Sequence, residues 1–427
     1  MAKKTKLIYF FIAISVALSV FAVRVPIAWN LSSITLYASA IAGYGGVMLM
    51  LWSMVLGTRS VTSFLSKDFA EIIKIHSWIG KYGTLLIFAH PILISISYGK
   101  SLLYAIIPSL GSEFSNDVAL GQSAVWILLI IWISSALLRG KMSHRPWKYL
   151  HFAAYIAIPF ALLHIPNTGS SFASIIGARV YFLVVTIGFL IFALLRLRGA
   201  LNFNKCRYRI IKQQPVVSDT YELILKPIGD RLDNIKPGQY IYIKTGWFSE
   251  DHPFSMCDYN PENGLIKLTY KVCGEFTEKL SNHSISKKVF LSGPFGEFTK
   301  EINESPVVYI AGGIGIVPFM NRLLHESKKR EQWLFYVNKS QSLATYESQL
   351  KTIIGNKMIS IYSRETMTTA NTETGHLNEA IIQKYLNNPQ QFSYYICGPQ
   401  PMVAATVKVL KNIGVPKSNI HEELFSF

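Results

Sequence analysis

Apolar residues fall in unbroken runs along the first half of the chain and in alternation along the second, and the change comes near Gly199. The runs lie at about Leu7 to Val23, Ile34 to Leu56, Ile72 to Tyr98, Ser123 to Leu138, Tyr149 to Ile165 and Val180 to Leu197. Each is long enough to cross a hydrocarbon layer as a helix. From Tyr208 to about Phe298, β-rich pieces such as Tyr240 to Lys244 and Leu265 to Tyr270 are separated by turn signals. Those signals stand at Lys236 to Gly238, Pro261 to Gly264 and Gly293-Pro294, a pattern that suits a small antiparallel barrel. From about Pro306 the order becomes strand (Val307 to Ala311), glycine turn (Gly312 to Pro318), helix (Phe319 to Lys329) and strand (Trp333 to Val337). That alternation predicts a parallel α/β domain. The expected fold is multidomain: an all-α six-helix transmembrane bundle over residues 1–200, an antiparallel β-barrel over 201–300 and an α/β parallel-sheet domain over 301–427. No internal repeat or low-complexity linker interrupts it.

Charge adds an orientation. Short cytoplasmic loops retain Lys and Arg. One side of the predicted bundle carries Lys3, Lys4 and Lys6, then Arg59 and Lys67, then Arg139, Lys141, Arg145 and Lys148, and finally Arg196, Arg198, Lys205, Arg207 and Arg209. The other side has Arg24, Lys100 and Arg179, offset by Glu113 and Asp117. Six crossings then leave both termini and the whole second half in the cytoplasm of a protein integral to the cell membrane. Half of the 427 residues are hydrophobic, so part of the chain must live in lipid. Much of the net charge of +17 borders the bundle, and positive-inside topology accounts for it without a nucleic-acid partner. The basic start of the first run could also open a signal peptide, but no small-x-small cleavage site follows, which favours a retained helix. Cys206, Cys257, Cys273 and Cys397 form no CxxC pair and have no histidine at zinc spacing, so neither a disulfide framework nor a metal cluster is expected.

Four histidines stand inside the apolar runs: His76 and His90 in one, His151 and His164 in another. A lone intramembrane histidine usually packs, hydrogen-bonds or faces a water-filled cavity. Four at near-matching spacing point to a ligand, and neutral imidazole commonly binds haem iron. Gaps of 14 and 13 positions separate each pair by about 20 Å along a helix. Threading the helices through the membrane sets His76 beside His151 near the inner face and His90 beside His164 near the outer, one bis-histidine b-type haem for each pair. Fourteen residues return a helix to nearly the same face, so His76 and His90 share one; thirteen do not, and His151 and His164 require local unwinding, for which Pro159 is the candidate. His90-Pro91 is expected to kink the outer end of its helix, and His144 in the basic loop reads as a surface residue.

Further chemistry lies in the second half. Gly312-Gly313-Ile314-Gly315-Ile316-Val317-Pro318 follows a predicted strand and opens a helix, where glycines let backbone approach a diphosphate at the helix N-terminus. The barrel region holds His252-Pro253-Phe254-Ser255, then Lys271-Val-Cys-Gly274-Glu-Phe276-Thr277, then Gly293-Pro-Phe-Gly296. Later come Ser363-Arg364, Tyr394-Tyr-Ile-Cys397-Gly398-Pro399 and the ending His421-Glu-Glu-Leu-Phe425-Ser-Phe427.

With these motifs the chain resembles, over almost its whole length, the NADPH oxidases and ferric reductases, which join a six-helix two-haem membrane domain to a ferredoxin-reductase-like module. The resemblance implies that residues 1–200 are the di-haem domain, 201–300 the FAD-binding barrel and 301–427 the NAD(P)H-binding domain. His252 to Ser255 would lie along the flavin with the Ser255 hydroxyl near its reactive edge, and Lys271, Gly274, Phe276 and Thr277 would form the turn at the FAD diphosphate. Gly313, Gly315 and Pro318 correspond to the nicotinamide dinucleotide turn, with Pro318 where a Rossmann fingerprint has its third glycine. Cys397, Gly398 and Pro399 match the segment whose cysteine lies near the nicotinamide. Ser363-Arg364 is similar to the pair that grips the 2′-phosphate of NADPH; Glu365 beside it keeps NADH as the alternative donor. Phe425, in a Glu-x-Phe pattern, would be the aromatic that covers the flavin, with Phe427 the other candidate.

The activity expected is transfer of electrons from NADPH through FAD and both haems to oxygen on the outer side. With both axial positions filled by imidazole, oxygen meets only the haem edge and gains one electron, giving superoxide. A ferric-chelate reductase uses the same path, and a relay to an extracytoplasmic protein is a third reading that the short outer loops disfavour. No DxDxDG loop or Pro-rich tail stands in the sequence, so NADPH, oxygen and membrane lipid are the expected partners, with no obligatory protein activator.

Overall fold

A computed structural model of the protein describes residues 3–58, 62, 69–169, 171–172, 174–247, 249–296, 298, 306–326, 331–365 and 370–424. It divides into two compact units, Met1–Arg198 and Gly199–Phe427. Arg59, Lys67, Lys329, Phe425 and Phe427 lie outside the described residues.

The first unit is helical: α1 (Lys3–Ser19), α2 (Leu31–Gly57), α3 (Phe69–Ser97), the short α4 (Leu102–Ile106), α5 (Glu113–Ala136), α6 (His144–Phe152), α7 (Ala154–Thr168) and α8 (Ile176–Ala200). Among the described residues five stretches are long and apolar enough to cross a membrane: Leu31–Gly57, Glu71–Ser97, Glu113–Ala136, His144–Thr168 and Ile176–Ala200. The first of the six expected runs falls in a shorter apolar helix, Lys6–Ala22. Helix α5 starts at Glu113 rather than Ser123. Its first turns are polar, which hides them from a hydropathy reading, but Ser112 and Ser115 cap each other's backbone N–H groups at 3.1 and 2.8 Å. Tyr44, Met48, Leu128, Leu162 and Val185 belong to the common core of this unit.

The expected unwinding between His151 and His164 is also placed differently. Pro159 sits inside α7, and the break falls at Ala153, whose N–H bonds back to Leu150 O at 3.1 Å. An interruption two residues past His151 reorients the second half of the span and answers the mismatch of a 13-residue step. Pro91 likewise lies within α3. His144 is exposed at the start of α6.

The second unit opens with β1 (Cys206–Val217), β2 (Thr220–Pro227), β3 (Tyr240–Lys244), β4 (His252–Tyr259), β5 (Ile266–Lys271), α9 (Glu275–Ser281) and β6 (Lys288–Phe295). The six strands close into an antiparallel barrel in the order β1-β2-β5-β4-β3-β6. Alternate positions such as Leu223, Ile241, Ile243, Phe254 and Leu268 fill it. There follow β7 (Val307–Gly312), α10 (Val317–Glu326), β8 (Gln332–Asn338), α11 (Glu347–Ile354), β9 (Met358–Tyr362), β10 (Thr372–Thr374), α12 (Glu379–Tyr385), β11 (Ser393–Gly398), α13 (Gln400–Asn412) and β12 (Ile420–Leu424). These strands form a parallel sheet in the order β10-β9-β8-β7-β11-β12. Strand β7 is buried throughout, as expected of a central parallel strand covered on both faces. Strand order reverses between β7 and β11, which makes the carboxyl ends of those two strands the crevice of the sheet. The Tyr346 hydroxyl ties sheet to barrel, donating to Glu222 Oε2 at 2.9 Å and standing 2.8 Å from Thr269 Oγ1.

Candidate redox sites

His76 and His90 lie on α3, His151 near the end of α6 and His164 on α7. Helix packing brings His76 to His151, ring centroids 5.9 Å apart and planes at 60°, and His90 to His164, 6.5 Å apart at 81°. This is the pairing that threading the sequence through a membrane leads to.

Three of the four rings are held in the same way. His90 Nδ1 donates to the Ser39 carbonyl at 2.9 Å, His76 Nδ1 to the Ser53 carbonyl at 2.9 Å and His164 Nδ1 to the Asp117 carbonyl at 2.9 Å. A carbonyl only accepts, so each Nδ1 carries the proton and each Nε2 keeps its lone pair for a ligand. Four residues beyond each of these carbonyls stands a glycine: Gly43, Gly57 and Gly121. A Cβ at Gly43 would approach His90 Nδ1 to 3.0 Å, one at Gly121 would approach His164 Nδ1 to 2.8 Å, and one at Gly57 would stand 3.7 Å from His76 Cε1. Gly43 and Gly121 thus make room for the rings, whereas at Gly57 a methyl group would reach only ordinary contact distance. Sequence reading missed them, although a glycine inside an apolar helix, about 1 kcal/mol worse than alanine, always asks for a reason.

His151 is held differently. Its Nδ1 is 3.3 Å from Ser135 Oγ, which accepts the Trp147 indole N–H at 3.2 Å. The Trp147 ring stacks on the imidazole at 5.2 Å, and Arg139 lies over the far partner of that stack at 4.3 Å.

Two imidazoles coordinating one iron at about 2 Å from each nitrogen place their ring centroids about 6 Å apart, with the interplanar angle free. The separations of both pairs fit that donor set. Among the described residues no group of three or more His, Cys, Asp or Glu assembles, so neither pair is a cage for a bare ion; two axial donors suit a metal whose other positions are already filled. A largely apolar cavity adjoins His90 and His164, lined in part by Ile87, Val118 and Leu128. The Tyr44 hydroxyl and Gln122 amide oxygen, buried in its wall, have no hydrogen-bond partner among the described residues.

In the barrel, His252 to Ser255 open β4. Strand alternation sends Phe254 into the core, edge-on to Tyr270 at 5.9 Å. Pro253 is exposed, Ser255 is half-buried opposite Tyr240 of β3, and His252 stacks on Phe276 at 3.7 Å and 13°. Thr277 Oγ1 accepts from the backbone N–H groups of Cys273 and Gly274 at 2.9 and 3.1 Å and donates to Gly274 O at 2.9 Å. Those three bonds use the whole capacity of a hydroxyl, so Thr277 shapes the turn that is expected at the diphosphate. A Cβ at Gly274 would meet nothing within 4 Å, which leaves its backbone open to a ligand. Lys271 pairs with Asp219 at 2.9 Å.

The carboxyl edge of the sheet gathers the remaining candidates. Gly313 has φ +54° in the left-handed region, with open space where a Cβ would stand. Gly315 does the opposite: its Cβ would come within 2.2 Å of the Cys397 carbonyl, so this glycine lets the turn pack on the end of β11. Pro318 is the second residue of α10, where a missing N–H breaks no helical bond. Cys397 is fully buried in β11, flanked in register by Ala311 of β7 and Glu423 of β12. Burial, and then the Glu423 carboxylate, hold its thiol well above the ordinary range. Glu423 entered the sequence reading only as the acid of the Glu-x-Phe pattern, because strand register alone brings it beside Cys397. Gly398 and Pro399 lead into α13, and Ser363 and Arg364 follow β9, their N–H groups bonded to Asn338 O at 3.0 Å and Lys339 O at 2.9 Å.

Thiol reactivity tests this arrangement. Cys257, buried, is pushed up to about 11, while Cys273 is exposed. Thiolate is the reactive form. Mass spectrometry after brief iodoacetamide treatment of the native protein at pH 8 should find Cys273 alkylated and Cys257 and Cys397 unmodified until the chain is unfolded.

Three family models match the chain in series: the ferric reductase like transmembrane component over residues 42–162, an FAD-binding domain over 205–328 and the oxidoreductase NAD-binding domain over 309–408. The chain has the architecture of the NADPH oxidase and ferric reductase family. It is thus a membrane protein whose second unit is built from FAD- and NAD-binding domains. A component of the Na(+)-translocating NADH-quinone reductase of Haemophilus influenzae is 28% identical over 190 residues, 39% of this chain and 46% of that protein. The reductase component of propane 2-monooxygenase of Rhodococcus jostii is 28% identical over 247 residues, 54% of this chain and 66% of that protein. The chain spans about half the length of the first of these relatives. Among solved structures, the FAD/NAD-binding domain of nitric oxide dioxygenase from Vibrio cholerae shares 24% identity, with TM-score 0.46, over 52% of this chain and 98% of that one.

Proposed function

We propose that the protein is a transmembrane NADPH oxidase that takes electrons from cytoplasmic NADPH and delivers them singly to oxygen on the opposite side, releasing superoxide. Its cofactors would be FAD in the barrel and two b-type haems, the flavin accepting a hydride and releasing single electrons that iron can take up one at a time. The observation that carries this reading is the meeting of four intramembrane histidines in two pairs, three with the proton fixed on Nδ1 by a carbonyl.

Each residue then has a task. His76 with His151, and His90 with His164, would hold the inner and the outer haem through their imidazole nitrogens, and the haems would supply one-electron chemistry. Gly274, where a side chain would meet nothing, leaves space for the flavin, and Ser255, half-buried on β4, would turn its hydroxyl to the ring. Gly313 admits the dinucleotide diphosphate at the crevice, while Cys397, kept as a neutral thiol, borders the nicotinamide. Ser363 and Arg364 take the adenosine end and favour NADPH over NADH. Phe425, with Phe427 as alternative, would cover the flavin. The Lys and Arg bias supports both termini in the cytoplasm, with the short helix Lys6–Ala22 as a sixth crossing.

A ferric-chelate reductase is the second reading, favoured by the family model matched over residues 42–162. Cytochrome c reduction by the purified protein with NADPH and FAD in air separates the two. Suppression by superoxide dismutase is the result expected of the oxidase. Dismutase-insensitive reduction with fast turnover on ferric chelates would replace it by the metal reductase.

A further inference from the structure

Strands β8 and β9 end side by side on Lys339 and on Ser363, Arg364 and Glu365, and the charges there are mixed. A carboxylate at this edge of a dinucleotide fold binds the ribose diol and repels a 2′-phosphate. Glu365 is turned to another use. Both of its carboxylate oxygens accept the Gln341 backbone N–H, at 3.0 and 3.1 Å. That N–H opens the short 3₁₀ turn Gln341–Leu343, an end of backbone that attracts an anion. Meanwhile Arg364 N donates to Lys339 O at 2.9 Å, which makes the two basic residues neighbours across their loops. Both side chains are exposed, and among the described residues neither forms an ion pair.

We propose that Lys339 is a second cation for the 2′-phosphate of NADPH and that the Gln341 N–H decides cofactor choice by holding Glu365 away from the ribose. The proposal rests on the reading of Ser363-Arg364 as the adenosine end. It adds a residue that no motif contains and turns the acidic neighbour of Arg364 from a contradiction into a restrained group. A phosphate monoester carries between one and two negative charges near neutrality, so removing a cation or releasing a carboxylate beside it acts on NADPH far more than on NADH.

Gln341→Pro tests the restraint because it deletes the backbone N–H that holds Glu365. Ser340, at φ −149° and ψ 163°, already has the extended backbone that a following proline requires, and Gln341 is the first residue of its turn, where proline is accepted. The kcat/KM ratio for NADPH over NADH should fall about tenfold, the worth of one charge-assisted hydrogen bond. Adding Glu365→Gln to Gln341→Pro should restore the ratio. Lys339→Ala should lower the ratio and raise the inhibition constant of 2′-AMP, and Lys339→Arg should leave both near wild type. Arg364→Ala is the reference. If it lowers the ratio while Lys339→Ala and Gln341→Pro, at matched FAD content, do not, the inference is overturned and the adenosine reading stands. If Arg364→Ala leaves the ratio unchanged, the adenosine reading fails and the inference with it.

Discussion

Replacing His164 by alanine should remove one of two haems from the purified protein and reduce NADPH-driven superoxide formation by at least about 100-fold, beyond the loss that changes behind a metal ligand cause. The ring is enclosed by a carbonyl at Asp117, a glycine at 121 and its partner His90, and no other histidine is paired with His90 among the described residues. Alanine leaves His90 as a single donor. Reduction of a soluble dye by NADPH should survive, because the FAD- and NAD-binding domains belong to a separate compact unit. The pyridine haemochromogen yield per flavin, together with dye and superoxide rates, measures all three effects. Loss of both haems with the dye activity intact would still place His164 in haem binding; two haems retained at full superoxide rate would remove it.

Gly315→Ala should be the most damaging single-atom change in the second unit. The new Cβ would stand 2.2 Å from the Cys397 carbonyl oxygen, 2.7 Å from its carbon and 3.0 Å from the Gly398 Cα. All three are backbone atoms, so relief requires the glycine turn to separate from β11. Overpacking of this kind costs about 3 kcal/mol, equivalent to about 100-fold in a rate if it falls on the transition state. Stopped-flow reduction of bound FAD by NADPH should slow by that order, while dithionite reduces the haems as in wild type. Gly313→Ala is the comparison: its position is open and its φ of +54° is unfavourable to alanine by about 1 kcal/mol, so a loss of about fivefold is expected. Equal effects of the two substitutions would mean that Gly315 is not the packing contact.

Both substitutions turn on contacts that differ in how far the sequence reveals them. The helices and strands were readable because burial imposes a period, and β3 occupies the expected residues Tyr240–Lys244. Errors fell where a local device overrides composition. Ser112 and Ser115 start α5 in a polar stretch, and Ala153 rather than Pro159 breaks the span His144–Thr168. The imidazole pairs were readable because few residues other than ligands belong in an apolar core at such spacing. Their seats were not. Gly43 and Gly121 gain meaning only when another helix delivers a ring to them, and that delivery is long-range. The motif residues divide similarly. Phe254 and Thr277 match a pattern by identity, yet strand alternation buries one and the turn claims the hydroxyl of the other. Glu365 looked like a rival for the ribose until its oxygens met the Gln341 N–H, a bond between loops that no motif encodes.

The proposed electron path through the four histidines would have a direction across the membrane, and sidedness is therefore its sharpest test. The protein would be reconstituted into liposomes with cytochrome c trapped inside, NADPH added outside, and superoxide dismutase placed either inside or outside. Reduction of the trapped cytochrome c, abolished by internal dismutase and unaffected by external dismutase, is the outcome expected of a transmembrane oxidase. Oxidation of NADPH with superoxide appearing only outside, on the side of the dehydrogenase domains, would contradict it.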